Sequence, residues 1–114
     1  MNVDALDTVL AAFESGTLAG AAACFAADSA YREAHRDAIR GRDAIAAWFD
    51  GFAASGTTWR FSVDDVIRDG ARACVSYRFV VFGGTGDSAR ERAGCAIVRI
   101  DQSGLITEWR EYDG

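Results

Sequence analysis

Tyr31, Glu33 and His35 stand two residues apart in a stretch that reads as extended, Ser29 to Arg36, so the three side chains project from one side of it. A second alternating series runs near the end. Leu105, Thr107, Trp109 and Glu111 fall on one face, and Ile106, Glu108, Arg110 and Tyr112 on the other. A glutamate beside a tryptophan on a cavity-facing surface is a carboxyl held against an apolar wall, and acid–base chemistry is built from that arrangement. His35 is the only histidine. An imidazole titrates near ~6.5 when unperturbed, so it can exchange protons close to neutrality. A neighbouring Glu33 favours its charged form and burial opposes it. Glu33, His35 and Glu111 are therefore the candidate catalytic groups, with Tyr31 to orient a ligand oxygen and Arg78 to set the field beside Glu111. The same residues also admit structural roles. Glu33 can pair with Arg32 or Arg36 on the surface, His35 can sit half-exposed at a rim, and Glu111 can form a buried ion pair with Arg78.

Other chemistries are excluded by composition. All 12 basic residues are arginine, so no lysine is present to form a Schiff base or act as a general base. With one histidine there is no H-E-x-x-H motif or two-histidine facial triad, and no metal site is expected. The three cysteines, Cys24, Cys74 and Cys95, form no C-x-x-C motif and read as free thiols in the core. A Ser-His-Asp apparatus lacks its G-x-S-x-G elbow. The net charge of −5, with no basic stripe, argues against nucleic acid. No apolar run approaches the ~20 residues of a membrane span. Asp4 and Asp7 stand where a signal peptide would carry basic residues, so a soluble cytoplasmic protein is expected.

The elements that position these groups follow from periodicity. Val3, Leu6, Val9, Leu10 and Phe13 recur at helical spacing, with Asp4 and Asp7 at the end where the helix dipole favours anions and Gly16 as the stop. Thr17 is a candidate cap for a second helix carrying Leu18, Ala21, Ala22 and Phe25. Gly41-Arg42-Asp43 opens a third, with Ile45, Trp48, Phe49 and Phe52 on its apolar face. From Gly56 the period changes to two. Strands are expected over Thr57–Arg68, with an irregularity at Asp64-Asp65, then over Ala71–Phe82 and Arg90–Ile100, followed by the closing strand. Asp69-Gly70 is a hairpin turn. Gly83 to Asp87 reads as a glycine-rich hairpin loop; it opens no helix and so is a poor phosphate cradle. Helices followed by long antiparallel strands make an α+β plan in one domain, residues 1–114. Trp48, Phe52, Trp59 and Trp109 supply large apolar area, part of it core and part of it the wall of a ligand pocket.

Four segments together carry a family resemblance: Phe25 to Tyr31, Gly41 to Phe49, Asp69-Gly70, and Gly104 to Tyr112. In order and spacing they resemble the nuclear-transport-factor-2-like superfamily, closest to its SnoaL-like, polyketide-cyclase-like branch and related to the ketosteroid isomerases. The resemblance implies a cone: a curved mixed β-sheet packed on three N-terminal helices, with a pocket between. It also implies homodimers formed through the outer sheet face. Glu33 matches the acidic base of the steroid isomerases. Their two oxyanion donors fall at Val9 and Ala96, whose side chains cannot donate. Against the limonene-type epoxide hydrolases, Tyr31 and Glu111 match, Glu33 replaces an asparagine, and the central arginine–aspartate pair falls near Ser76 and Arg78. The expectation is a cofactor-free protein that binds an apolar, oxygenated small molecule and transfers protons on it, by isomerisation, cyclisation or dehydration. The alternative is a non-catalytic homodimeric module that binds a ligand or a protein.

Overall fold

The computed structural model describes residues 4–82 and 89–113. Helix α1, Ala5–Ser15, buries Leu6, Val9, Leu10 and Phe13, the face its spacing predicts. Asp4 caps it by accepting the Asp7 backbone N–H at 2.9 Å. Gly16 ends it in a left-handed conformation, φ 76°, that a side chain would strain. The proposed position of Val3 lies outside the described residues. Of the three helices expected, the middle one is a single 3₁₀ turn, Ala21–Cys24. Gly20 at φ 82° breaks the chain before it and Phe25 is already extended, so Thr17 caps nothing and four residues remain helical. Helix α2, Arg42–Ala54, buries Ile45 and Phe49 and leaves Trp48 and Phe52 half-buried.

Among the described residues six strands form one mixed sheet: β1 Phe25–Arg32, β2 Ile39–Arg40, β3 Thr58–Asp69, β4 Arg72–Phe82, β5 Ala89–Ile100 and β6 Ile106–Asp113. Their spatial order is β2-β1-β6-β5-β4-β3. Only β1 and β6 run parallel; every other neighbour is antiparallel. The closing strand therefore lies inside the sheet, between the first long strand and β5. Helix α1 packs over β3 and α2 over β1, so both helices cover the same face. The fold is the expected α+β cone. The Gly83–Asp87 loop lies outside the described residues.

Two irregularities set which side chains point inward. The register slips between Val63 and Asp65, where the Asp64-Asp65 irregularity was expected. A second slip, between Arg99 and Ile100, sets Ile100 opposite Ile106 and Arg99 opposite Glu108, so Thr107 is the extra residue. Simple alternation puts Ile106 outside with Glu108. The bulge turns it inward, and Ile106 and Trp109 are both fully buried.

Candidate active site

Inward-facing residues of β3, β4 and β5 follow from the register. Trp59, Phe61 and Val63 lie opposite Val81, Phe79 and Tyr77, which lie opposite Arg90, Arg92 and Gly94. Between this wall and α2 is a cavity of about 260 Å³. Phe52, Trp59 and Phe79 pack against one another around it, with ring centroids 5.6 to 6.4 Å apart. Phe61 stacks on Tyr77 at 4.9 Å. The polar groups at the lining are Tyr31, Glu33, Arg36, Tyr77, Arg92 and Glu111.

Glu111 is the one whose shift brings it to neutrality. It is 8% exposed, and burial pushes its carboxyl up from the ordinary 4.5 to about 7. The Trp109 indole N–H, donated to Oε2 at 2.8 Å, pulls the other way, and the nearby Glu33 raises it again. Near neutrality the group is thus poised between acid and base, which is the condition for general catalysis. On the neighbouring strand β1, where Tyr31 stands in register with Trp109, the Tyr31 hydroxyl donates to Glu33 Oε2 at 3.1 Å. Burial, then the Glu111 and Glu33 charges, hold that phenol well above its ordinary range. Arg36 approaches Glu33 at 3.4 Å and lies over the Trp48 ring at 5.4 Å. Arg92 approaches Asp113 at 3.6 Å.

Of the sequence-derived residues, Tyr31, Glu33, Glu111, Trp48, Phe52 and Trp59 share this one cavity. Three do not line it. Strand β1 ends at Arg32, and Glu33 to Arg36 form a turn closed by the Arg36 N–H on the Glu33 carbonyl at 3.1 Å. His35 sits in that turn at φ 66°, its side chain 79% exposed and 2.6 Å from Asp113. Alternation extrapolated through a turn therefore misplaces it. Arg78 follows the inward Tyr77, so it points outward and pairs with Asp64 at 3.6 Å rather than with Glu111. Trp109 is fully buried behind the wall and acts on the site through its bond to Glu111. Tyr77 and Arg92 were not singled out from sequence. Both become visible once the β4–β5 register is known.

Among the described residues, no group of three histidine, cysteine or acidic side chains could hold a metal ion. Cys24 is buried, and Cys74 and Cys95 are half-buried; all three are free. No described helix is long and apolar enough to cross a membrane.

Comparison with known proteins adds a lineage to this geometry. The family model of the SnoaL-like domain matches residues 6–109. No curated protein matches significantly. Among solved structures, the fold is similar to an LEH-like epoxide hydrolase of M. tuberculosis, at TM-score 0.80 and 21% identity over 96% of this chain and 80% of that one. It is also similar to a computationally designed 17-OHP binder, at TM-score 0.76 and 19% identity over 95% and 89% of the two chains. An NTF2-like protein of unknown function from Cytophaga hutchinsonii ATCC 33406 aligns at TM-score 0.77 and 15% identity over 96% of each chain.

Proposed function

The chain belongs to the SnoaL-like domain family, and from that premise we propose that it binds a small, apolar, oxygenated molecule in the cone and moves protons on it without a cofactor. The observation that carries this reading is Glu111: a carboxyl buried at an aromatic cavity wall and brought to about 7. Glu33, hydrogen-bonded to Tyr31 and standing just past the end of β1, the strand beside β6, takes the proton. Glu111 in its protonated form delivers one, and the two carboxyls exchange roles between turnovers. Isomerisation, cyclisation and dehydration all need such a pair. His35, exposed beside Asp113, takes no step. The cavity volume of about 260 Å³ is below the ~300–1,000 Å³ of drug-sized pockets, which favours a compact ligand.

A second reading is supported by the likeness to a designed binder and by the apolar side chains at Val9 and Ala96: a protein of the same fold that holds its ligand without turning it over. In either case we propose one domain, a cytoplasmic location and pairing of two copies through the outer sheet face. There Ile67, Phe82 and Tyr112 are exposed, and Ile67, Cys74, Ile97 and Arg110 form a row across four strands.

A thermal-shift screen of compact ketones, lactones and epoxides tests the reading, since a ligand that binds only the folded state raises its melting temperature. For compounds that bind, Glu33→Gln and Glu111→Gln should each lower turnover by roughly 10²–10⁴-fold while the protein stays folded. Unchanged turnover in both variants would end the assignment. Binding with no turnover of any hit by the wild type would favour the second reading.

A further inference from the structure

One polar group in the cavity has no work in this scheme. Tyr77 is 2% exposed, and its hydroxyl has no hydrogen-bond partner among the described residues. Leaving a buried hydroxyl unpaired is destabilising, and a phenylalanine would keep the stack on Phe61 without that cost. The fold goes further to seat it. Tyr77 lies opposite Gly94, where a Cβ would come 3.1 Å from the Tyr77 hydroxyl oxygen and 2.5 Å from the Tyr112 carbonyl oxygen. The missing side chain lets the tyrosine lean across β5 toward β6. That brings its hydroxyl beside the Glu111 carboxyl, where Glu111 raises the phenol and the phenol lowers the carboxyl, yet the approach falls short of a well-formed hydrogen bond.

Nearby protein groups do not satisfy it. The adjoining inward row is Val75, Ala96 and Glu111, of which only Glu111 is polar. The Tyr31 hydroxyl already donates to Glu33. Glu111 receives the Trp109 N–H on Oε2. When it is protonated, the proton therefore belongs on Oε1, away from that donor.

We propose that Tyr77 and protonated Glu111 are two O–H donors that converge on a single neutral carbonyl oxygen of the ligand, at the sheet wall of the cavity. The inference rests on the small-molecule reading above and narrows it to ketones and lactones. The groups facing Glu111 agree with a neutral acceptor. Tyr31 and Glu33 approach from β1 and the turn after it, Tyr77 from β4 and Arg92 from β5, while Phe13 and Phe49 face the cavity from the helices. Glu33 disfavours an anionic ligand, and Arg92 is engaged by Asp113.

The test uses a matched pair of probes, 1-tetralone and tetralin, which share a skeleton and differ in the carbonyl oxygen. Affinities are measured calorimetrically on wild type, Tyr77→Phe and Glu111→Gln. In the wild type, 1-tetralone should bind at least tenfold more tightly than tetralin, and its affinity should fall as pH rises through 7 because Glu111 loses its donor proton. Tyr77→Phe should erase at least tenfold of the ketone's affinity, leave tetralin within twofold, and melt no lower than wild type. Glu111→Gln should remove the pH dependence. Equal ketone binding by wild type and Tyr77→Phe, or a clear drop in the melting temperature of Tyr77→Phe, overturns the inference and leaves the cavity reading standing. Failure of both probes to bind the wild type overturns both.

Discussion

Replacing Glu111 with glutamine isolates the energetic consequence of burying that carboxyl. Glutamine is nearly isosteric with the protonated acid, and its side-chain carbonyl can still accept the Trp109 N–H. In the folded wild type the group titrates at about 7 instead of the ordinary 4.5. The folded state therefore holds a proton that the unfolded chain gives up, so the wild type loses stability as pH rises from below 4.5 through 7. At ~1.36 kcal/mol per unit of that gap the full loss is about 3 kcal/mol, most of which falls between pH 5 and pH 8.5. Glutamine does not titrate, so the stability of Glu111→Gln relative to wild type should grow by about 2–3 kcal/mol over that range. Unfolding entropy of ~2.1 cal/mol/K per residue turns this into a relative gain of about 10 °C in melting temperature. Urea unfolding of both proteins at half-unit pH steps measures it. Other titrating groups are common to both and cancel in the difference. Asp4 and Asp101, whose carboxyls are held below the ordinary 3.8 by their hydrogen bonds, act below this window. A difference that stays flat from pH 5 to 8.5 would refute the claim that Glu111 is buried and proton-hungry.

Three further substitutions follow from the same geometry. Trp109→Phe removes the one N–H donor that favours ionised Glu111; it should cost about 1–3 kcal/mol and move the midpoint of the pH–stability curve upward, and a downward shift in titration would contradict it. Gly94→Ala drives a Cβ onto the Tyr112 carbonyl oxygen, so denaturant unfolding should show a loss of about 1–3 kcal/mol, whereas an unchanged midpoint would mean the two strands can separate freely. His35→Asn keeps a residue that tolerates the left-handed backbone; stability should stay within ~0.5 kcal/mol and binding of cavity ligands should not change, and a lost ligand would restore His35 to the site.

Much of the fold could be seen in the sequence because its two periods differ so clearly. Leu6, Val9, Leu10 and Phe13 announce α1, and Ile45 and Phe49 announce α2. The slip near Asp64 and the turn at Gly70, φ 61°, were legible from local chemistry. Glu111 could be identified as a buried carboxyl because Trp109 sits two residues before it on the same face. What failed was extrapolation past a break. His35 seemed to continue the Tyr31–Glu33 alternation, but the strand had ended. Ile106 seemed to face outward, but an extra residue at Thr107 reversed it. Tyr77 and Arg92 were hidden for another reason. Their inward aim depends on the cross-strand register of β4 and β5, and the register of strands joined through a glycine-rich loop is not written in either strand alone.

The placement of β6 has a consequence for how the protein is made. Residues 106–113 supply the strand that joins β1 to β5, so during synthesis the sheet waits in two pieces, each with a raw edge of unsatisfied amides. Phe13 and Tyr31 lack the Trp109 ring they pack on, and the hollow lacks Glu111, until that ribbon slides between β1 and β5. A nascent chain halted at residue 104 should consequently expose two adhesive borders to its neighbours and depend on chaperones, and release of the next nine residues should close both borders and furnish the site in a single step.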